Sequence, residues 1–161
     1  RYSPDTSGSR QVFNETRTEV TLGAFYPLIA GLVGHLEVGY SGLETSEDLP
    51  PLSELVFLGG PGTIRGFRNE QFVAQRSGRV TVEPRLRFNT GYMFAFYDGA
   101  YINTPDRTAA GNISTNERYE NGYGLGFALA TPQRSIKISV GWNPLLPFDQ
   151  PRLSMELVSN L

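Results

Sequence analysis

The chain has 161 residues, enough for one domain and too few to argue for two. Its 14 basic and 16 acidic side chains leave a formal charge of -2, so no field is present that would gather nucleic acid. Cysteine is absent, which excludes disulfides, thiolate metal sites and a cysteine nucleophile. No apolar run reaches the ~18 residues of a spanning helix; the longest, Phe25 to Gly34, is interrupted by Pro27 and Gly31, and no charged-then-apolar leader opens the sequence. With 18 glycines, 10 phenylalanines and 8 tyrosines in a chain of little helical periodicity, the composition points to an all-β protein rich in aromatics.

Taken in order, Arg1 to Arg10 holds Ser, Pro, Asp and Gly and reads as the stub of a loop. Gln11 to Tyr26 is the first predicted strand, with Thr18, Val20, Leu22, Ala24 and Tyr26 alternating with Arg17, Glu19, Thr21, Gly23 and Phe25. Pro27 to Gly31 turns the chain into Leu32 to Gly42, where Leu36, Val38 and Tyr40 face away from His35, Glu37, Gly39 and Ser41. Leu43 to Gly78 is a connection of a length that is usually functional. Arg79 to Asn89 alternates most cleanly, setting Val80, Val82, Pro84, Leu86 and Phe88 against Arg79, Thr81, Glu83, Arg85 and Arg87; Pro84 predicts a bulge or bend. A turn at Thr90-Gly91 leads into Tyr92 to Ile102, then a polar loop from Asn103 to Glu120. Tyr123, Leu125, Phe127 and Leu129 next alternate with Gly122, Gly124, Gly126 and Ala128. Thr131 to Arg134 turns into Ile136, Ile138, Val140 and Trp142, alternating with Ser135, Lys137, Ser139 and Gly141. After Asn143 to Pro151, Leu153, Met155 and Leu157 alternate with Ser154, Glu156 and Val158, making seven long strands in all.

The connections run short, long, short, long, short and medium, as in an outer-membrane barrel with short periplasmic turns and longer outer loops. The competing architecture is a soluble sandwich or lipocalin-like barrel with its apolar face inward. Charge and glycine recur on the polar faces, where a soluble exterior would carry Lys or Glu. The opposite faces, including Trp142 and the tyrosines, match a lipid-facing band with interfacial girdles. The expected fold class is therefore all-β, an antiparallel up-and-down transmembrane β-barrel. Seven strands do not close into the even-numbered barrel usual for bacterial single chains, so residues 1–161 are expected to form the C-terminal part of a larger barrel or to pair with a second copy.

The densest glycine stretch lies in the long connection: Phe57-Leu58-Gly59-Gly60-Pro61-Gly62-Thr63-Ile64-Arg65-Gly66-Phe67. Its glycines and proline forbid a helix or a ladder, leaving a folded loop that presents Arg65. A phosphate-cradling loop would need Lys-Ser or Lys-Thr after the last glycine and a helix behind it, and neither is present. With a two-residue turn at Thr90-Gly91, Glu83 comes directly opposite Asp98 on one face, an unfavourable pairing without a cation between them. Two sources of that cation stay open. Arg65 can fold back and offer each carboxylate one edge of its guanidinium, or Arg85 or Arg87 can act locally while Arg65 stays in solvent. His35, the sole histidine, has no Ser-centred elbow or metal-ligand cluster beside it and reads as a plain lumen residue.

Leu58-Gly59-Gly60 followed by Ile64-Arg65-Gly66-Phe67 resembles the loop-six signature of the outer-membrane assembly and two-partner-secretion superfamily, the bacterial surface antigen family that includes the central subunit of the barrel assembly machinery. Phe96-Tyr97-Asp98-Gly99 is similar to its aromatic-x-Asp strand motif and Val82-Glu83-Pro84 to its acidic strand position. Gly124 to Pro132 with Ile136 to Gly141 is similar to its penultimate hairpin. The resemblance runs from about Arg17 to the end. It implies a barrel of about sixteen strands, preceded by periplasmic repeat domains, in the outer membrane of a Gram-negative bacterium or an endosymbiont-derived organelle. It further implies that Gly59, Gly60, Ile64, Arg65, Gly66 and Phe67 enter the lumen, with Arg65 latched to Glu83 and Asp98. The implied activity is insertion or translocation of client polypeptides amid outer-membrane lipid, with no cofactor, metal or nucleic acid and no enzymatic step. The last strand, carrying Leu153, Met155, Leu157 and Leu161, would close against an upstream strand as a seam; Leu161 stands where such barrels typically end in an aromatic. The alternatives are a passive outer-membrane barrel or the membrane anchor of an upstream patatin-like lipase.

Overall fold

A computed structural model of the chain describes residues 2–4, 10–12, 14–46, 49–107, 113–130 and 134–159. Its strands are β1 (Tyr2–Pro4), β2 (Arg10–Val12), β3 (Glu15–Ile29), β4 (Leu32–Thr45), β5 (Val56–Leu58), β6 (Phe72–Ala74), β7 (Arg76–Phe88), β8 (Gly91–Arg107), β9 (Ile113–Ala130), β10 (Arg134–Trp142) and β11 (Arg152–Ser159). Seven of them form one antiparallel sheet in the order β11-β10-β9-β8-β7-β4-β3, an up-and-down meander, while β1–β2 and β5–β6 pair separately. The architecture is all-β, as the period-two alternation requires. Among the described residues the sheet is open, with β3 and β11 at its edges.

Several boundaries differ from those read off the sequence. Arg1 to Arg10 is not simply a loop stub, because Tyr2–Pro4 pairs with Arg10–Val12. β3 runs through Pro27 to Ile29, which an edge strand tolerates because one side of its backbone needs no ladder partner; the register shifts between Pro27 and Ile29, and Gly31 turns the chain at a φ of 81°. The polar stretch Asn103 to Glu120 is mostly strand: β8 and β9 stay paired as far as Arg107 and Ile113. Cross-strand contacts hold that extension without an apolar face, among them the Tyr101 and Tyr119 rings, tilted at 50° with centroids 5.2 Å apart, and an Asn103–Glu117 hydrogen bond of 3.4 Å. The strict short-long alternation of loops is thus partly an alternation of strand length. Likewise β4 extends to Thr45 and β7 begins at Arg76, which trims the long connection to Ser46–Gln75.

The apolar side chains of alternate positions lie on a face that no second layer covers. Leu22, Leu125 and Leu153 are 70, 61 and 75% exposed, which disposes of the soluble sandwich, where they would be core. Direct cross-strand partners align Tyr40, Gly78, Tyr101 and Tyr119 in one row, and Phe88, Gly91 and Leu129 in another. Along β7 those rows are separated by ~33 Å at ~3.3 Å per residue, which a strand tilt of ~40° reduces to the ~25 Å apolar band of an outer-membrane barrel.

The opposite face, called inner here, carries the core. Leu58, Ile64, Phe67, Phe72 and Ala74 of the long connection pack against Ala100 and Ile102 of β8. The connection therefore has its own short hairpin, β5–β6, and is docked on the sheet instead of hanging free.

Candidate functional site

Local backbone chemistry forces the loop tip. Gly59, Gly60 and Gly66 adopt φ of 119°, 93° and 89°, the left-handed region that side-chain-bearing residues avoid. The Gly60 amide donates to the Ile64 carbonyl at 3.0 Å and the Gly59 amide to the Thr63 hydroxyl at 2.7 Å, closing the tip on itself. Ile64 and Phe67, on either side of Arg65-Gly66, are both buried in the inner core. Anchored before and after, the intervening arginine has one direction left, toward the sheet.

There Arg65 meets both carboxylates. Its Nε and Nη2 donate to Asp98 Oδ2 and Oδ1 at 2.7 and 2.8 Å, its backbone amide donates to Asp98 Oδ2 at 3.0 Å, and its Nη1 donates to Glu83 Oε2 at 2.7 Å. Each edge of the planar guanidinium serves one acid, a geometry that lysine lacks. The flat face lies 3.7 Å from the Phe96 ring centroid. Arg65 is 4% exposed and Glu83 and Asp98 are each 1% exposed. Burial works against the charge of the guanidinium, but Asp98 and then Glu83 outweigh it and hold the Arg65 pKa above the ordinary arginine value.

The register behind this meeting differs from the sequence expectation. The turn is Asn89-Thr90, so Phe88 faces Gly91 and Thr81, not Glu83, is the direct partner of Asp98. The slip amounts to two residues, and an even slip leaves every side chain on its original face. Glu83 and Asp98 are consequently diagonal neighbours on the inner face, and the Thr81 hydroxyl donates to Asp98 Oδ1 at 2.9 Å. Pro84 makes no bulge: the same register holds at Val82–Tyr97 and at Arg85–Phe94, with ladder pairing missing only between them.

Both proposed cation sources turn out to act. Arg85 Nε donates to Glu83 Oε1 at 2.7 Å and its Nη2 lies 3.0 Å from His35 Nδ1, which places the histidine at the edge of the network. Arg87 is exposed and has no part in it. Sequence reasoning missed Lys137, whose Nζ donates to Glu83 at 3.1 and 3.3 Å, and Asn143, whose side-chain amide donates to the Gly66 carbonyl. It also missed why β9 carries glycine. A Cβ at Gly122 would strike the Arg65 carbonyl, one at Gly124 the Phe96 ring, and one at Gly141 on β10 would sit 2.8 Å from the Gly66 amide. The alternation of large and tiny residues is the signal that was present, and its meaning is a wall planed flat for the loop to lie on.

Leu153, Met155 and Leu157 sit on the edge strand β11, exposed on the outward face and away from Arg65; Leu161 lies outside the described residues. No group of three or more His, Asp or Glu able to hold a metal occurs among the described residues.

An open antiparallel meander with an exposed apolar face and an arginine loop docked on the other face agrees with the comparison to known families, in which the model described as the Omp85 superfamily domain matches residues 7–150. The chain belongs to the Omp85 superfamily. No curated protein and no solved structure matched it in the parallel comparisons. Omp85 proteins are outer-membrane β-barrels of Gram-negative bacteria or of organelles, and as a family they insert or transport polypeptides as assembly factors and transporters.

Proposed function

We propose that this chain forms the loop-bearing wall of an Omp85 barrel that inserts polypeptides into the outer membrane or moves them across it. In that role Arg65 latches the loop to Glu83 and Asp98 inside the lumen. The observation that carries this reading is the fully buried clamp: a permanently charged guanidinium stays out of water only while its partners stay in place. The loop then props the wall in one shape while the barrel edge works. β11, unpaired on one side among the described residues, presents backbone donors and acceptors that template an incoming strand, and no nucleotide or cofactor is needed. The open sheet closes through further strands or a second copy, and client docking belongs to periplasmic repeat domains beyond these residues.

The test is reconstitution in lipid vesicles with a client or secretion assay. Arg65→Ala is expected to abolish most activity and Glu83→Gln or Asp98→Asn to share the defect, since breaking one partner of a buried pair costs ~3–5 kcal/mol. A double-mutant cycle of Arg65 and Asp98 should show strong coupling, and additive effects would refute the latch. A passive barrel, or a membrane anchor of a lipase, would show altered conductance at most.

A further inference from the structure

Lys137 lies on the inner face of β10 directly opposite Glu156 of the edge strand β11. Direct antiparallel partners have their Cβ atoms ~4.5–5.5 Å apart and normally pair when oppositely charged. Here the ammonium bypasses Glu156 and reaches over β9 and β8 to Glu83 on β7. Small residues clear the path: Ala128 is the direct partner of Lys137 on β9 with Gly126 beside it, and the ammonium rests 4.7 Å from the Phe94 ring centroid. Glu156 has neither a hydrogen bond nor an ion pair among the described residues, and it borders the same inner cavity as Lys137, Glu83 and Arg65. Glu83, for its part, already has Arg65 on one oxygen and Arg85 on the other. Lys137 is therefore a surplus cation on Glu83, repelled by two guanidinium groups, with a second carboxylate within its reach.

We propose that Lys137 is a positioning residue that divides its ammonium between Glu83 and Glu156, and so couples the pairing of the edge strand to the tightness of the arginine loop. With β11 in its present register, Glu156 competes for Lys137. When β11 peels away or slips by one residue, Glu156 leaves the inner face and Lys137 commits to Glu83. The ammonium then crowds the Arg65 guanidinium on the Glu83 Oε2 that both share, and the loop is held least firmly while the edge is open. The functional meaning of this coupling rests on the reading of Arg65 as a latch, but the coupling itself has a readout that needs no client.

The experiment is hydrogen exchange of the segment around Arg65 in the full protein embedded in vesicles. Glu156→Gln is expected to speed exchange there about 2- to 5-fold, the size of one partly exposed ion pair. Lys137→Met should slow it, Lys137→Arg should restore wild-type exchange, and Glu156→Gln should do nothing once Lys137 is Met. If Glu156→Gln leaves exchange unchanged, or acts equally in the Lys137→Met background, the coupling is overturned. The latch is judged separately by Asp98→Asn: faster exchange from Asp98→Asn alongside a silent Glu156→Gln sinks the coupling and leaves the latch standing. A silent Asp98→Asn sinks the latch whatever Glu156 does.

Discussion

At the scale of single residues, the site is built as much from missing side chains as from charged ones. Arg65 can lie against the wall because Gly122, Gly124 and Gly141 leave room for its backbone and for the Phe96 ring beneath it. Gly122→Val is therefore expected to push the loop off β9 and lower stability by ~1–3 kcal/mol, the usual cost of forcing extra carbon into a packed site. Gly62→Ala is the control, since a Cβ there meets nothing within 4 Å. Denaturant midpoints in vesicles should separate the two. Arg65→Lys keeps the charge and loses the fork, so it should resemble Arg65→Ala more than wild type in the same assay.

At the scale of elements, the long connection is a folded unit. Its β5–β6 hairpin and the cluster of Leu58, Ile64, Phe67 and Phe72 bring apolar area onto Ala100 and Ile102, and that burial, not the ion pairs alone, decides where the loop sits. Phe67→Ala should cost ~3–5 kcal/mol by opening a cavity in a small core. Limited proteolysis should then cut within residues 59–71 while the sheet survives. If the salt bridges alone held the loop, its protection would be unchanged. The residues of this unit were legible as a glycine-rich motif, but its core was not, because periodicity reports the faces of long strands and says little about short hairpins folded inside a connection.

At the scale of the whole molecule, the apolar face is a solvent preference written across seven strands. Leu125 lies midway between the tyrosine row and the turn-side row and is 61% exposed. Leu125→Arg is expected to cost ~2–4 kcal/mol of folding stability in vesicles and Tyr119→Arg, at the rim, only ~0–1 kcal/mol. Equal penalties at both positions would contradict the band drawn here. A monodisperse native species in plain buffer would contradict lipid exposure of this face altogether.

Alternation alone determined the fold class, the number of long strands and the face each side chain takes, because facing in a strand has a period of two and is settled by local geometry. The same rule put Glu83 and Asp98 on one side of the sheet and kept them there through a two-residue error in register. Only the tertiary structure decided the register itself, which hangs on a single turn residue, and the length of β8 and β9, whose polar ends pair without an apolar signature. It alone decided that Lys137 crosses the wall to Glu83 while its direct neighbour Glu156 goes unpaired among the described residues. Which carboxylate an ammonium chooses depends on curvature, loop packing and competing cations summed over distant parts of the chain, and no local pattern encodes that sum.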